Sequence, residues 1–464
     1  MESSAFDKKY QLDTNENRAF LRAMTENLLA FGRRFPSPGG GSYWLGDDGT
    51  PWKDRNRETW ITARMAHVYS LGYMLGYKEC GALADAALKG LRGELHDEKN
   101  GGWYPGVTAD GAPLPDKQCY AHAFVMLAAS SGYLAGRPGA EELLRDAEAV
   151  YDAHFWDENE GLACDTWNTE FTVCDRYRGL NANMHSVEAF LAVADATGNE
   201  AYRARAGRVI DHVVSWAKNN GWRTPEHYHE DWTPDLECNA DRPDDQFKPY
   251  GATPGHGIEW ARLITQWALS TYSAGGDKTC VAARSIDNAS VVSGSGSKAH
   301  AASVSGNESD SVPYKAGMNV PAKAAPYIDA AEHLFGRAVT DGWCADGEPG
   351  IVYTTDWNGK PVVHDRMHWT LAEAINTSAA LFHVTGKPEY ADWYATFMKY
   401  LDEKVVDHVN GSWFHQLDAH NHVLDTVWPG KSDLYHATQA TLIPYYPVSL
   451  SIASAVKRAG YLRL

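Results

Sequence analysis

A turn that joins glycine to aromatic residues recurs along the chain, and this recurrence limits the fold more than any other sequence feature. The first three gaps between copies are 60 residues each, the next is 121 and the last is 69. A constant period of this length indicates a chain built from repeated supersecondary units. The six copies begin at Gly41, Gly101, Gly161, Gly221, Gly342 and Gly411.

The long gap contains a segment of different composition. Residues 273–326 are rich in Ser, Ala and Gly and nearly lack aromatic residues. Removing this segment brings the gap close to the common interval, so the sequence predicts six repeats and one insertion within a single domain, residues 1–464. A surface loop and an oligomer contact are the two interpretations of the insertion. The oligomeric state stays open.

Two helical patterns lie between successive turns, with apolar residues at i, i+3, i+4 and i+7. The first of each pair is the more apolar and is predicted to be the inner helix. The second carries charges on one face and is predicted to lie outside. The pairs are 59–75 with 80–95, 119–130 with 141–155, 183–196 with 201–217, 255–269 with 327–339, and 368–382 with 390–405, followed by 434–456.

The front of the chain supplies the missing partner of the sixth inner helix. Residues 17–35 show the same periodicity. Six helix pairs closed by the N-terminus predict an all-α fold, an (α/α)6 barrel of inner and outer helices. An open solenoid is the alternative, but it requires polar caps at both ends, and neither end of this sequence has one.

Charge and hydropathy exclude several classes of partner. The formal net charge is −18, from 42 Lys and Arg against 60 Asp and Glu, so a nucleic acid would be repelled. Neither a signal peptide nor an unbroken membrane-spanning run is predicted. The seven scattered cysteines indicate reduced thiols rather than a disulfide framework or a zinc site. We expect a soluble, cytoplasmic protein.

Polar residues collect at the N-termini of the predicted inner helices. These helices all run in the same direction, so their N-termini should converge at one mouth beneath the turns. Seventeen Trp and 24 Tyr suit a site that stacks sugars. The mouth residues are Trp60, Arg64, Tyr120, His122, Asn181, Asn183, His185, Glu188, His256, Glu259, His368, Trp369, Glu373 and His436.

The segment TPGHGIE places a histidine in the first turn of the fourth inner helix. Thr253 fits the N-cap and Pro254 the first helical position, so His256 falls at N3. The positive helix end favours a neutral imidazole there, and Glu259, one turn on, could orient its ring. A metal clip lacks a third ligand. A glycosidase would use Glu259 and Glu373 as its carboxylate pair, yet the many histidines favour proton transfer next to a carbonyl group.

Six motifs in order carry a resemblance to a known family. They are WITARMAHVYSLG, RGLNANMHSVEAFL, GATPGHGIEWARL, VYTTDWNGKPVV, NGSWFHQLD and KSDLYH. These motifs resemble the N-acylglucosamine 2-epimerase family, most closely its aldose–ketose isomerase branch. The resemblance runs from about residue 17 to the C-terminus, excluding the insertion. It implies an (α/α)6 barrel and metal-independent, cofactor-free interconversion of an aldose and its ketose through a cis-enediol.

The resemblance also implies roles for individual residues. His436 would move the proton between C2 and C1, and His256, supported by Glu259, would open the ring and serve the oxygens. Trp60 and Trp369 would form the walls. The hydroxyl-binding residues would be Arg64, Tyr120, Asn181, His185 and Glu373.

The expected substrate is a free monosaccharide, with D-mannose and D-fructose as the main pair and D-lyxose and D-xylulose as a further pair. Sulfoquinovose is disfavoured, because sulfosugar isomerases of this branch carry glutamines where this chain has His415 and Ser432. A sugar 2-epimerase, an (α/α)6 glycoside hydrolase and a non-catalytic sugar-binding protein are the alternatives.

Overall fold

Helices form most of the chain in the computed structural model, which describes residues 6–272 and 317–459. The helices of these residues, in chain order, are α1 (Asn15–Gly32), α2 (Thr59–Met74), α3 (Cys80–Leu91), α4 (Cys119–Leu134), α5 (Ala140–His154), α6 (Leu180–Thr197), α7 (Glu200–Asn219), α8 (Pro254–Tyr272), α9 (Ala325–Gly342), α10 (His368–Thr385), α11 (Pro388–Tyr400), α12 (Tyr435–Leu442) and α13 (Ile452–Ala459).

Alternate helices form a closed inner ring. In order around the ring, α2, α4, α6, α8, α10 and α12 each contact the next, and α12 returns to α2. Nearly every residue of α2, α4, α8 and α10 is buried, as the apolar character of the first patterns predicts. The outer helices α3, α5, α7, α9 and α11 each pack against the inner helix that precedes them. The predicted barrel is confirmed.

The first helix completes the outer ring. α1 packs against α12, which makes it the twelfth member. Thr14 caps it by accepting a hydrogen bond from the Asn17 N–H. The Thr25 hydroxyl donates to the Thr441 hydroxyl at 2.8 Å across the two helices. The chain therefore closes its two ends on each other.

Short antiparallel strand pairs lie at the mouth end of the barrel. They are β1 (Trp44–Leu45) with β2 (Pro51–Trp52), β3 (Arg57–Glu58) with β4 (Gly106–Val107), β5 (Lys117–Gln118) with β8 (Thr166–Trp167), β6 (Trp156–Asp157) with β7 (Leu162–Ala163), β9 (Arg178–Gly179) with β10 (His227–Tyr228), β11 (Thr354–Thr355) with β12 (Pro361–Val363), and β13 (Arg366–Met367) with β14 (Gln416–Leu417).

Four of these pairs join one repeat to the next. β3, β5, β9 and β13 each end immediately before an inner helix, and each pairs with the turn of the following repeat. Ahead of α8, Ala252 and Thr355 exchange two backbone hydrogen bonds of 2.9 Å. Ahead of α12, the Lys431 N–H donates to the Leu45 carbonyl at 2.9 Å. Every inner helix is thus fixed at its N-terminal end by its neighbour.

Buried lysines anchor two of the turns. Lys117 donates to Asp97 and to the Gly101 carbonyl, both at 2.9 Å. Lys431 donates to Asp407 and, at 3.1 Å, to the Gly411 carbonyl. Both ammonium groups are fully buried, so removal of either aspartate would leave an uncompensated charge.

The sixth inner helix is shorter than the sequence pattern predicts. The pattern extends over residues 434–456, but α12 ends at Leu442 and α13 begins only at Ile452. Pro444 and Pro447 lie in this gap, and a proline inside a helix removes a hydrogen bond and clashes with the preceding turn. α13 instead turns back and packs against α2, α4 and α6.

The predicted insertion falls mainly outside the described residues, which are interrupted between 272 and 317. α9 begins at Ala325, just before the predicted end of the insertion. The insertion therefore follows the C-terminus of α8 and precedes the N-terminus of α9. None of the described helices is long and apolar enough to cross a membrane.

Candidate active site

A chamber lies at the N-terminal ends of the six inner helices, and every one of these helices contributes to its wall. Four of its residues also line a wider outer groove of about 980 Å³. The chamber is lined by Arg64, Tyr120, Asn181, His185, Gln246, Phe247, Pro249, His256, Glu259, Tyr353, His368, Trp369, Trp428, Asp433 and His436.

His256 is held by a carboxylate from a distant turn. Its Nδ1 lies 2.9 Å from Oε2 of Glu226, which stands just before β10. Glu259, the partner predicted from helical spacing, instead accepts from Arg262 at 3.3 Å. Glu259 therefore turns toward Arg262, which lies three residues further along α8. The Nδ1 contact leaves Nε2 of His256 as the ring nitrogen available to the chamber.

His436 is held in the same way by Glu373. Its Nδ1 lies 3.0 Å from Oε1 of Glu373, and Oε2 of that carboxylate accepts from Arg262 at 2.6 Å. Glu373 was expected to bind a sugar hydroxyl, but it lies behind His436 and is not part of the chamber wall. Burial, aided by the Arg64 charge, lowers the pKa of His436 well below its usual value. His436 is therefore a neutral imidazole that can accept a proton.

The guanidinium of Arg262 contacts three buried carboxylates beneath the chamber. Arg262 contacts Glu188 at 3.6 Å in addition to Glu259 and Glu373. Burial and the neighbouring Glu373 raise the pKa of Glu259 well above its ordinary range. Burial also raises the pKa of Glu188, but the nearby imidazole of His185 and the charge of Arg262 outweigh it and bring that pKa below normal. One cation cannot neutralise three carboxylates, and burial raises the pKa of Glu373 as well as that of Glu259.

Arg64 organises the wall on the side of α2. Its guanidinium forms an ion pair with Asp433 and donates to the Tyr120 hydroxyl at 2.9 Å. The same group lies over the rings of Phe124 and Tyr435, at 4.2 Å and 4.9 Å from their centroids. These contacts fix Arg64 and Tyr120 together, with both side chains facing the chamber as predicted for hydroxyl-binding residues.

Asn181 and His185 form the wall contributed by α6. The Asn181 Oδ1 and His185 Nδ1 atoms are buried and have no hydrogen-bond partner among the described residues. Glu188 lies 3.8 Å from His185 and accepts a hydrogen bond from Tyr435. Burial lowers the pKa of His185 to about 4. Unpaired buried polar atoms are costly, and here they point to a polar ligand.

Aromatic rings lie beside His256 and His436. Trp369 lies between them, with centroid distances of 5.0 Å to His256 and 5.9 Å to His436. The roof is formed by Phe247 and Trp428, whose ring centroids are 5.7 Å apart. Trp60, the second predicted wall, lies in the outer groove instead of the chamber.

His122 is a structural residue, although it occupies the position equivalent to the other mouth histidines. Its Nδ1 lies 2.7 Å from the Gln118 carbonyl, and its Nε2 accepts from the Trp103 N–H at 3.1 Å. Both ring nitrogens are therefore used within the protein. Burial lowers its pKa to about 3.

The fold and the paired histidines can now be compared with known proteins. Residues 40–313 and 314–440 match the family described as N-acylglucosamine 2-epimerase (GlcNAc 2-epimerase). The chain belongs to the N-acylglucosamine 2-epimerase family.

Two relatives within this family cover most of the chain. A D-mannose isomerase of Pseudomonas cannabina pv. alisalensis is 39% identical over 401 residues, which are 86% of this chain and 85% of the relative. A D-mannose isomerase of Thermobifida fusca is 36% identical over 450 residues, which are 96% of this chain and 98% of the relative. A crystal structure of a D-mannose isomerase, 23% identical, has a TM-score of 0.76 and covers 93% of this chain and 98% of its own. This last similarity supports the fold.

Sequence reasoning missed Arg262 and two acidic residues of this site. Glu226 lies within the fourth glycine-aromatic turn, which was interpreted only as part of the repeat. Asp433 lies in the KSDLYH motif, two residues before α12 begins. Each is a buried carboxylate next to a predicted site residue. Their position immediately before an inner helix or a turn strand was the available signal.

Proposed function

We propose that the chain is a metal-independent aldose–ketose isomerase that interconverts D-mannose and D-fructose. D-Lyxose and D-xylulose form a second expected pair, because lyxose matches mannose from C1 to C4. The two relatives named D-mannose isomerase support the substrate. The free thiols of the described cysteines, typical of a reducing compartment, support a cytoplasmic location.

The observation that carries this proposal is the pair of carboxylate-held histidines on either side of Trp369. Each has Nδ1 bound to a glutamate, so each presents Nε2 as an acid or base. Aldose–ketose isomerisation needs two such groups, one for carbon and one for oxygen. The partner glutamates stabilise each imidazolium as it forms and fix its orientation.

The reaction then proceeds by two proton relays. His256 takes the proton from O1 and passes it to O5 as the C1–O5 bond breaks and the C1 carbonyl forms, which gives the open-chain aldose. His436 removes the C2 proton, the electrons of that bond form the C1–C2 double bond, and the electrons of the C1 carbonyl move to O1, which gives the cis-enediol in its anionic form. His256 moves the O2 proton to O1, and His436 returns its proton to C1 as the C2 carbonyl forms. No electron leaves the sugar and no co-reactant is required.

The charge arrangement supports the absence of a metal from this mechanism. Two groups of potential ligands lie here, one of His185, Glu188 and Glu259 and the other of Glu259, Glu373 and His436. Arg262 contacts all three of these glutamates and supplies the positive charge that a cation would bring. The guanidinium therefore competes with any divalent ion for these carboxylates.

The test is to incubate EDTA-dialysed protein with mannose in D₂O and follow the products by NMR. We expect fructose to accumulate, with deuterium entering C1 and with mannose exchanging at C2. Glucose without fructose would assign a 2-epimerase. Binding of mannose without conversion or exchange would identify a sugar-binding protein. Activity lost on dialysis and restored by one metal would overturn the metal-independent mechanism.

A further inference from the structure

His368 borders the chamber but has no part in the two proton relays. It is the first residue of α10 and immediately precedes Trp369, which lies between the reacting histidines. Its ring centroid is 6.3 Å from that of His436, in an edge-to-face arrangement. His368 is only 5% exposed, so any group that meets its ring inside the chamber does so away from bulk water.

The two nitrogens of this ring have different surroundings. Nδ1 lies 3.3 Å from the His415 carbonyl oxygen. Nε2 is buried and has no hydrogen-bond partner among the described residues. A buried polar atom without a partner is destabilising, so the arrangement is understandable if a ligand supplies the partner.

A second histidine holds the plane of this ring. The His415 ring stacks on His368 with a centroid distance of 4.0 Å and an interplanar angle of 7°. Two stacked rings would repel each other if both were charged. Burial lowers the pKa of both histidines, which keeps the stack neutral. The plane of His368, and with it the direction of Nε2, is therefore fixed before a ligand arrives.

We propose that Nε2 of His368 binds one hydroxyl group of the sugar, and that His415 is a positioning residue that fixes the direction of this hydrogen bond by stacking. The inference rests on the proposed isomerase function and adds a specificity contact to it. Because α10 lies between α8 and α12 in the inner ring, the contact is made beside the reacting carbons. The ligand chemistry is a neutral polyol with a hydroxyl at a fixed position.

The test pairs His368→Phe with a series of monodeoxy mannoses. Phenylalanine keeps the stacked ring and removes both nitrogens. We expect kcat/KM for mannose to fall about tenfold, the loss of one buried hydrogen bond. For one deoxy sugar, the variant and the wild type should have the same kcat/KM, because that sugar already lacks the hydroxyl that His368 binds. An equal loss for every sugar in the series would overturn the proposal.

Asn181→Ala is the matched control, since Asn181 lines the same chamber from α6. Its loss should disappear with a different deoxy sugar, which separates a specific contact from a general loosening of the site. If His368→Phe does not fold, His368→Gln keeps a polar group. It should then keep part of the discrimination at the same sugar position, and its loss there would count against the contact.

The role of His415 is tested by the shape of its substitute. His415→Phe keeps a flat ring and should preserve the single-hydroxyl pattern, whereas His415→Leu should raise KM more than it lowers kcat and should erase that pattern. Identical patterns in the two variants would rule out positioning by stacking.

If the wild type does not turn over mannose, the proposed function fails. Calorimetric binding of the same sugars would still decide whether His368 makes the contact.

Discussion

His256 and His436 are held by carboxylates that come from different parts of the chain. Glu226 belongs to a turn 30 residues before His256, and its Oε1 has no hydrogen-bond partner among the described residues. Glu373 lies on α10, the inner helix next to the one that carries His436. One of its oxygens contacts His436 and the other accepts a hydrogen bond from Arg262. The His436 dyad is therefore the more rigid one, which suits the proposed role of His436 as the base that serves two adjacent carbons.

Substitution of each histidine should produce a different defect. His436→Asn removes the base at carbon, so isomerisation should fall by about 10²–10⁴-fold. His256→Asn should also be severely impaired with mannose. With an aldose analogue that cannot cyclise, it should retain some C2 exchange, since ring opening is bypassed. NMR in D₂O measures C2 exchange for both variants with both substrates.

The control for this pair is Glu226→Gln, which should reproduce the His256 pattern in weaker form because it acts through that ring. If the His436 variant exchanges the analogue at the wild-type rate while the His256 variant cannot, the two roles are reversed. Loss of exchange in both variants with both substrates would mean that the histidines act as one unit.

Helix ends, rather than helix interiors, carry the functional residues of this fold. Hydrophobic periodicity was sufficient to predict the inner and outer rings, because burial of one helix face is a local property of the sequence. It also predicted that residues such as His256 and His436 would meet, since parallel inner helices bring their N-termini together. Apolar periodicity alone did not predict the break in the sixth inner helix, which Pro444 and Pro447 cause.

Contacts between repeats could not be predicted in this way. Spacing suggested Glu259 as the partner of His256, but the actual partner, Glu226, reaches it from a separate turn. No periodicity encodes such a contact, because it depends on how β9 and β10 pair. The charge of Arg262 then decided the direction of Glu259. Long-range pairing and burial therefore determined the part of the site that the sequence pattern left open.

The insertion provides a prediction at the scale of elements. It joins the C-terminus of α8 to the N-terminus of α9, whereas the chamber lies at the N-terminus of α8. Replacing residues 275–314 by a short Gly/Ser linker should leave kcat/KM for mannose within about twofold, since loop length changes stability only slowly. The deletion keeps the hydrogen bonds of Gly317 and Met318 to the carbonyls of His383 and Val384.

Steady-state kinetics and gel filtration on the same sample check this prediction. A large drop in kcat with an unchanged melting temperature would show that the insertion contributes to the site. A change in elution volume with activity retained would instead assign it to an oligomer contact.

Across the whole molecule, burial shifts acids and histidines in opposite directions. Buried histidines such as His67, with a pKa lowered by burial to about 4, destabilise the fold as the pH falls. Partly buried acids such as Glu58, with a pKa raised by desolvation to about 7, have the opposite effect. The pH dependence of the melting temperature is a sum of such terms, so one histidine is best isolated by a difference between two variants.

His122 is suited to this difference because it lies outside the chamber and both of its nitrogens are bound. Its pKa is about 3 in the folded protein and about 6.5 in the unfolded chain, so the folded state is not penalised above pH 6.5. Below pH 6.5 His122 binds a proton in the unfolded chain but stays neutral in the folded protein. At pH 5 the wild type should have lost about 2 kcal/mol through this residue.

His122→Gln removes this term but also weakens the contacts to Trp103 and Gln118, so the variant should melt below the wild type at pH 8. The gap between their melting temperatures should narrow steadily from pH 6.5 to pH 5, because only the wild type then pays for a neutral buried imidazole. Calorimetry of both proteins across this range measures the gap. A difference in melting temperature that stays constant or widens would mean that the folded protein can protonate His122. It would also mean that the hydrogen bond from the Trp103 N–H to this ring is dispensable.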